Sequence, residues 1–128
     1  MLWREALLRI VLVDDAEHPG FLRVVCNAHV REMSDLAPAD AAHLLAAVLD
    51  AERALRQVLA PDKINLASLG NVVPHLHWHV IARFADDVHF PQPIWGTRQR
   101  ATDAPALAQR RAALPALAGV LAQLRAGA

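Results

Sequence analysis

The pattern of apolar and polar positions predicts four β-strands. Residues 7–13 and 21–26 are almost wholly apolar, and the segment between them joins clustered acids to a Pro-Gly pair, which is typical of a turn. Further along, residues 63–69 lead through Gly70 into residues 75–84, where polar and apolar side chains alternate with a period of two. We therefore expect two antiparallel strand pairs, each formed by segments that follow one another in the chain.

Two segments have helical periodicity. Residues 38–59 carry apolar side chains at three- and four-residue spacings, with Pro38 suited to the first helical position and Asp40 to the positive end of the helix. Residues 103–126 are rich in alanine, with leucines at helical spacing, and Pro115 is expected to divide them. The first helix is expected to cover the sheet. The second covers the sheet or docks on a second subunit.

Length and composition restrict the class of protein. A chain of 128 residues is long enough for one domain with a buried core. With 13 basic and 13 acidic residues, no overall field attracts nucleic acid or an anionic membrane, so a small molecule is the expected partner. No apolar run is long enough for a bilayer, and the first residues lack a signal-peptide pattern. The single cysteine, Cys26, cannot form an internal disulfide, in agreement with an expected cytoplasmic location.

Three histidines, His75, His77 and His79, stand two residues apart. In a strand this spacing places them on one face, so the sequence predicts a row of imidazoles with the intervening apolar residues packed on the other side. Histidine acts as nucleophile, general acid or metal ligand. The row is therefore a solvated polar face, a zinc site with three imidazole ligands, or a site of phosphoryl chemistry in which one imidazole attacks phosphorus.

The residues before the row favour phosphoryl chemistry. Gly70 supplies a flexible backbone and Asn71 supplies a side-chain amide, so backbone N–H groups and an amide donor can cradle an anion there. With this interpretation we expect neither a metal nor another cofactor.

The same residues resemble a known family. Residues 75–81, His-Leu-His-Trp-His-Val-Ile, preceded by Asn65, Gly70, Asn71 and Pro74, are similar to the His-φ-His-φ-His-φ-φ signature of the histidine-triad (HIT) superfamily, whose members hydrolyse or transfer nucleotides. Ser34-Asp35-Leu36 and residues 90–96 extend the likeness to a bacterial branch that resembles diadenosine-polyphosphate hydrolases. The resemblance covers about residues 8–96.

The resemblance implies a fold and an assembly. The fold is of the α+β class, HIT-like, with an antiparallel sheet of about five strands, a long covering helix and a C-terminal helical segment. Residues 1–128 are expected to form a single HIT domain, with its core at about 8–96 and a helical extension at about 103–126. Most members pair as homodimers, and a homodimer is expected here.

The resemblance also implies roles for individual residues. His77 is expected to attack the α-phosphorus of a nucleotide, with His75 supporting it and His79 donating to a phosphate oxygen. A backbone carbonyl of a neighbouring strand is expected to bind the other ring nitrogen of His77. The residues expected to bind the substrate are Asn65, Gly70, Asn71, Asp14 and Trp95.

Several assignments have alternatives. Asp14 stands nearest the acid that holds the ribose in the family, with Asp15 as a competitor and turn formation as the alternative for both. Trp95 either packs against the protein or lies at a substrate rim or interface. Arg98 and Arg100 either bind a distal phosphate or form a solvated charge cluster.

The sequence departs from the family pattern at three places. Val72 stands where many relatives carry Ser or Thr, and Asn71 replaces a frequent glutamine. The proline and basic residue that often precede the position of His29 are missing, so His29 is assigned no chemistry. The loss of the hydroxyl argues against the phosphoramidase branch.

These observations predict an enzyme. It is expected to hydrolyse or transfer adenosine nucleotides, taken from dinucleoside polyphosphates or nucleotide conjugates, through a covalent nucleotidyl-histidine intermediate. A nucleotide-binding or sensing module with little turnover is the alternative, followed by a metal site formed by the three histidines.

Overall fold

The computed structural model describes residues 1–127 and has an α+β architecture. One antiparallel sheet has the strand order β1-β2-β3-β5-β4. Its strands are β1 (Trp3–Arg4), β2 (Leu8–Leu12), β3 (Phe21–Cys26), β4 (Lys63–Ala67) and β5 (His77–Arg83). The helices are α1 (Pro38–Leu59), α2 (Ala104–Ala113) and α3 (Leu117–Ala126), with short 3₁₀ turns at Met33–Asp35 and Leu114–Ala116. The fold class, the sheet of about five strands and the helices that the resemblance implied are thus confirmed.

The strands differ from expectation mainly at their ends. β1, which the pattern did not predict, is two residues long and pairs Trp3 with Ile10 of β2. β5 begins at His77 rather than at His75. His75 precedes the strand because β3 ends at Cys26: the carbonyl of Leu76 accepts from the N–H of Cys26 at 3.1 Å, while its N–H donates to the carbonyl of Val30, beyond β3, at 2.8 Å.

The core lies between the sheet and α1. Leu22 and Val24 of β3 and Val80 of β5 point to one face of the sheet and are fully buried. The same cluster includes the buried apolar side chains of α1, which are Leu44, Ala47, Val48, Ala51, Ala54 and Leu55. Each buried leucine or valine stabilises the fold by about 1.5–3 kcal/mol relative to an exposed one. The opposite face of the sheet is left uncovered by α1 and carries the histidines.

Gly20 allows the end of α1 to approach the sheet closely. It has a φ of 93°, and a Cβ at this position would lie 2.5 Å from Leu59 Cδ1 and 3.1 Å from the Cβ of Ala82. A side chain here would meet both the helix and the neighbouring strand β5. The turn before β3 therefore needs glycine for its conformation and for space.

The C-terminal helices pack on α1. Leu117 and Leu121 are fully buried and belong to the main core cluster. Arg125 is buried beside them and bonds to Asp50 of α1 at 2.8 Å and to Glu5 at 3.0 Å. Within the chain, α3 lies mainly against the covering helix rather than on the sheet, and docking on a second subunit stays a prediction. No helix among residues 1–127 is long and apolar enough to cross a membrane.

Candidate active site

The histidines of β5 lie on the uncovered face of the sheet. His77 pairs with Val25 of β3, and His79 pairs with Arg23 of β3 and Ala67 of β4. Directly paired residues in a sheet point to the same face, so these five side chains share one surface. The intervening residues Leu76, Trp78 and Val80 contribute to the core side, as the alternation predicts.

The ring of His77 is held by the backbone just before it. Its Nδ1 lies 2.5 Å from the carbonyl oxygen of His75. Because a carbonyl only accepts hydrogen bonds, Nδ1 must carry the proton, and in the neutral ring Nε2 then has a free lone pair. The expectation that a neighbouring strand supplies this carbonyl is wrong, since it comes from two residues earlier in the same chain segment.

A neighbouring strand holds His75 instead. The Nε2 of His75 donates to the carbonyl oxygen of Cys26, the last residue of β3, at 2.6 Å. In a neutral ring this leaves the Nδ1 of His75 as an acceptor, and the Nδ1 of His29 lies 2.9 Å from it. His29 therefore belongs to the histidine cluster, although it was assigned no chemistry from the sequence.

His79 is the most buried of the three histidines, with 6% of its surface exposed. The rings of His77, Phe21 and Trp95 surround it, with centroids 4.9, 5.5 and 5.1 Å away. Burial is the main cause that lowers the pKa of His79 to about 4, and the neighbouring His77 and Arg23 contribute to this shift. At neutral pH its ring is therefore uncharged and carries a single N–H donor. Its Nδ1 is buried and has no partner among the described residues.

A cavity of about 380 Å³ lies against His77 and His79. Its other walls are Arg23, Leu69, Gly70, Asn71, Val72, Val73 and Trp95. Gly70 has a φ of 79°, so the loop turns in a conformation that favours glycine, and the exposed Asn71 follows it at the cavity wall. The structure thus brings together five of the residues expected at the site: His77, His79, Gly70, Asn71 and Trp95. His75 lines the other side of His77.

Asn65 lies beyond Trp95, on the edge strand β4. It lines a separate, more open depression of about 720 Å³ that also includes Trp95 and Ile81. Its Oδ1 accepts a hydrogen bond from Nη1 of Arg83 at 2.8 Å. The Nδ2 of Asn65 has no protein acceptor among the described residues, so its two hydrogens are free to meet a ligand.

Arg83 is a buried cation that connects Asn65 to the segment after β5. It forms two hydrogen bonds with the carboxylate of Asp87, at 2.8 and 3.0 Å, and one with the carbonyl of Gln92 at 2.7 Å. Burial acts to raise the pKa of Asp87, but the hydrogen bonds from Arg83 and the N–H of Phe84 outweigh it, and the pKa falls to about 2. The pair therefore stays ionised and fixes the segment that carries Trp95.

The two aspartates after β2 have different positions. Asp15 closes the turn, because its Oδ1 accepts hydrogen bonds from the N–H groups of Glu17 and His18 at 3.0 and 3.1 Å. Asp14 is exposed and makes no hydrogen bond among the described residues. Of the pair, Asp14 is the carboxylate left free for a ligand, although it lines neither cavity beside His77.

The basic residues after Trp95 have contacts within the protein. Arg100 donates to the carbonyls of Asp87 and Phe90 at 2.5 and 2.6 Å. Arg98 donates to Thr102 at 2.7 Å and lies 3.5 Å from Glu17. Both arginines hold the loop in place, which accounts for them without a bound phosphate.

Three functional candidates were missed in the sequence. Arg23 and Arg83 were not singled out in the sequence, and His29 was assigned no chemistry. The sequence pattern could have indicated the two arginines, because each is a polar residue in an alternating strand and lies on the same face as the histidines. Within residues 1–127, no three His, Cys, Asp or Glu side chains are grouped so that they could hold a metal ion.

The fold and the histidine cluster agree with comparisons to known proteins. A family model described as the HIT domain matches residues 1–86, so the chain belongs to the HIT domain family. A curated relative is an AP-4-A phosphorylase of Mycobacterium tuberculosis (strain ATCC 25618 / H37Rv), 32% identical over 87 residues. The match includes 63% of this chain and 45% of the relative, so the chain spans less than half the length of that protein.

Solved structures show the same fold. A histidine triad protein of Bradyrhizobium japonicum is 34% identical, with a TM-score of 0.72, and the match covers 89% of this chain and 86% of that one. A histidine triad protein of Marinobacter aquaeolei VT8 is 29% identical, with a TM-score of 0.75 and coverage of 96% and 88%. Both are similar over nearly their whole length.

Proposed function

We propose that this chain is a HIT-type nucleotide hydrolase or transferase in which His77 attacks the α-phosphorus of an adenosine nucleotide. The observation that carries the proposal is the hydrogen bond from His77 Nδ1 to the carbonyl of His75 at 2.5 Å. It fixes the tautomer in which Nε2 is a nucleophile, beside a cavity of about 380 Å³.

The reaction proceeds in two displacements. The Nε2 lone pair of His77 forms a bond to phosphorus while the bond from phosphorus to the leaving group breaks, and the leaving group departs with that electron pair. Water then attacks the phosphorus of the nucleotidyl-histidine, the phosphorus–nitrogen bond breaks, and a proton of the water passes to solvent. AMP is released and the neutral imidazole is restored.

The other residues of the cavity stabilise charge on the phosphate. The neutral His79 donates its single N–H to a phosphate oxygen. Asn71 and the backbone N–H groups near Val72 and Val73 add donors from the loop. Losing one such donor typically lowers the rate by about 10² to 10³.

The substrate is proposed to be a dinucleoside polyphosphate or another nucleotide conjugate. The name of the Mycobacterium tuberculosis relative, AP-4-A phosphorylase, supports a dinucleoside polyphosphate. Val72 is 92% exposed and supplies no hydroxyl for a leaving group. This disfavours amine leaving groups, which need a proton, relative to polyphosphates, which leave as stable anions.

The experiment is AMP release from a panel of diadenosine polyphosphates and adenosine phosphoramidates. Wild type is compared with His77→Ala and with His43→Ala, which removes an imidazole from α1, outside the site. We expect release by wild type and His43→Ala and none by His77→Ala. Intact mass after a rapid quench should show a wild-type adduct of one nucleotidyl group. Release that persists in His77→Ala would exclude His77 as the nucleophile.

A binding module with little turnover is the second candidate. The exposed Val72 favours it, because the loop offers the leaving group no proton donor at that position. Under this alternative, wild type and His77→Ala bind AMP equally well by calorimetry and release none from any member of the panel.

We also propose that two chains pair through the free edge of β4. This strand ends the sheet, and its Leu66 is 40% exposed. On α1, the exposed Leu45 and Leu49 lie in line with Glu52, which reaches the depression beside β4. A sedimentation mass of two chains for wild type and one chain for Leu49→Arg is expected. A wild-type mass of one chain would exclude the dimer.

A further inference from the structure

Two arginines share the uncovered face of the sheet with the histidines. Arg23 of β3 is paired directly with His79. Arg9 of β2 is paired with Val25, which is in turn paired with His77. Arg9 and Arg23 are thus diagonal neighbours on adjacent strands, about 7–8 Å apart at Cα, which is within reach of long side chains.

The positive charge of these arginines is largely uncompensated. Arg23 makes no hydrogen bond or ion pair among the described residues, and its Nε is buried without a partner; its guanidinium contacts only the ring of Phe21, 5.4 Å from the ring centre. Arg9 makes one hydrogen bond, from Nη1 to Oδ1 of Asn27 at 3.0 Å. A guanidinium has five N–H donors, and a half-buried cation without an anion is unfavourable. This arrangement is more readily explained by a ligand than by folding.

A cavity lies where the two guanidinium groups meet the histidines. It measures about 290 Å³ and is lined by Arg9, Arg23, Val25, Val73, His75 and His77. Arg23, Val73 and His77 also line the cavity that contains His79, so the two spaces adjoin at the proposed nucleophile. No carboxylate lines either of them within residues 1–127.

We propose that this arginine cavity binds a second phosphate group of the substrate, in addition to the α-phosphate at His77. The inference rests on the proposed function and narrows its substrate to nucleotides with at least two phosphates. Arginine suits this task because its planar fork binds two phosphate oxygens at once. This second phosphate is attached either to the α-phosphate, as part of the leaving group, or to the ribose of the nucleoside.

The test is calorimetric binding of four probes: AMP, α,β-methylene-ADP, adenosine 3′,5′-bisphosphate and inorganic pyrophosphate. The methylene analogue adds a phosphate on the leaving-group side and cannot be cleaved there, whereas the bisphosphate adds one on the nucleoside side. The proteins are wild type, Arg23→Gln, Arg9→Gln and Arg53→Gln. Arg53 lies on α1, outside the site, and its replacement removes the same charge.

We expect either α,β-methylene-ADP or adenosine 3′,5′-bisphosphate to bind wild type roughly tenfold or more tightly than AMP does. This gain should disappear in Arg23→Gln, shrink in Arg9→Gln and remain in Arg53→Gln. The probe that shows the gain assigns the second phosphate to the leaving group or to the nucleoside. A gain that survives in Arg23→Gln, or binding of AMP by wild type without a gain for either probe, overturns the proposal.

Pyrophosphate separates this inference from the proposed function. If wild type binds none of the nucleotides but binds pyrophosphate in a way that depends on Arg23, the phosphate site stands and the nucleotide enzyme does not. If pyrophosphate and the nucleotides all fail to bind, both are overturned. Should Arg23→Gln lose its fold by circular dichroism, Arg23→Lys serves instead, since it keeps the charge and removes the fork, and a reduced gain is expected.

Discussion

Arg83 donates a hydrogen bond from Nη1 to Oδ1 of Asn65 at 2.8 Å, so a buried cation orients an amide at the candidate site. The guanidinium is itself fixed by the carboxylate of Asp87. Because Oδ1 is occupied, the Nδ2 hydrogens of Asn65 face the open depression beside Trp95. The amide is therefore positioned before any ligand arrives.

Asn65→Asp separates the two functions of this amide. The carboxylate still accepts from Arg83, so the free energy of unfolding should change little, whereas the lost Nδ2 donor should lower AMP release by about 10² to 10³. Urea unfolding and the turnover assay measure the two effects. Turnover equal to that of wild type would show that the amide donor is not used.

Arg83→Met is the matched change on the other side of the hydrogen bond. It leaves Asp87, which is 5% exposed, as a buried charge without its cation. Breaking a buried ion pair in this way costs about 3–5 kcal/mol of stability. A loss below about 1 kcal/mol, as for a surface ion pair, would contradict the buried position of the pair.

The sequence predicted the frame of the fold because each element has a strong local pattern. Alternation defined β5, and the apolar repeat with Pro38 at its start defined α1. β1 was missed since two residues, Trp3 and Arg4, carry no periodicity and are held only by pairing with β2.

The site was less accessible to sequence reasoning, because its contacts join distant segments. The triad and its glycine loop are contiguous and could be recognised. His29 reaches His75 across 46 positions, and Arg23 meets His79 only through strand pairing. Such relations depend on topology and register, which local patterns do not specify.

Trp95→Ala tests the indole that packs edge-to-face against His79. The ring is 53% exposed, so its loss should change the free energy of unfolding by less than about 1 kcal/mol. Removing it exposes His79, and since burial is the main cause of the lowered pKa, that pKa should rise toward its ordinary value. An NMR titration of the His79 ring measures the change, and AMP binding should weaken about tenfold if a base stacks on the indole. An unchanged His79 titration would mean that the indole does not shield the ring.

Leu121→Ala tests whether the C-terminal segment is part of the single domain. Leu121 is fully buried in the cluster shared with α1. Its truncation should lower the free energy of unfolding by about 2–5 kcal/mol, in one cooperative transition. Gln123→Ala, on the exposed side of α3, is the control and should change stability by less than about 0.5 kcal/mol. Two separate transitions in wild type would instead make residues 103–126 an independent unit.

The stability of the protein should depend on pH through His79. Its pKa is about 4 in the folded chain and 6.5 in its ordinary state, so between these values the unfolded chain binds more protons. The contribution of His79 to the free energy of unfolding is therefore fully present above about pH 6.5 and is lost as the pH falls toward 4. It should decrease by about 2 kcal/mol from pH 7.5 to pH 5. Burial also lowers the pKa of His18, which acts in the same direction.

Urea unfolding at pH 7.5 and pH 5 measures this decrease. The quantity to compare is the slope of the free energy of unfolding against pH. His79→Asn removes the titrating ring and should flatten the slope, whatever its effect on absolute stability. The slope of wild type, measured under the same conditions, is the reference for this comparison. Asp87 does not interfere, because its pKa of about 2 confines its effect to pH values below about 4. A slope that is equally steep in His79→Asn would show that other groups cause the acid destabilisation.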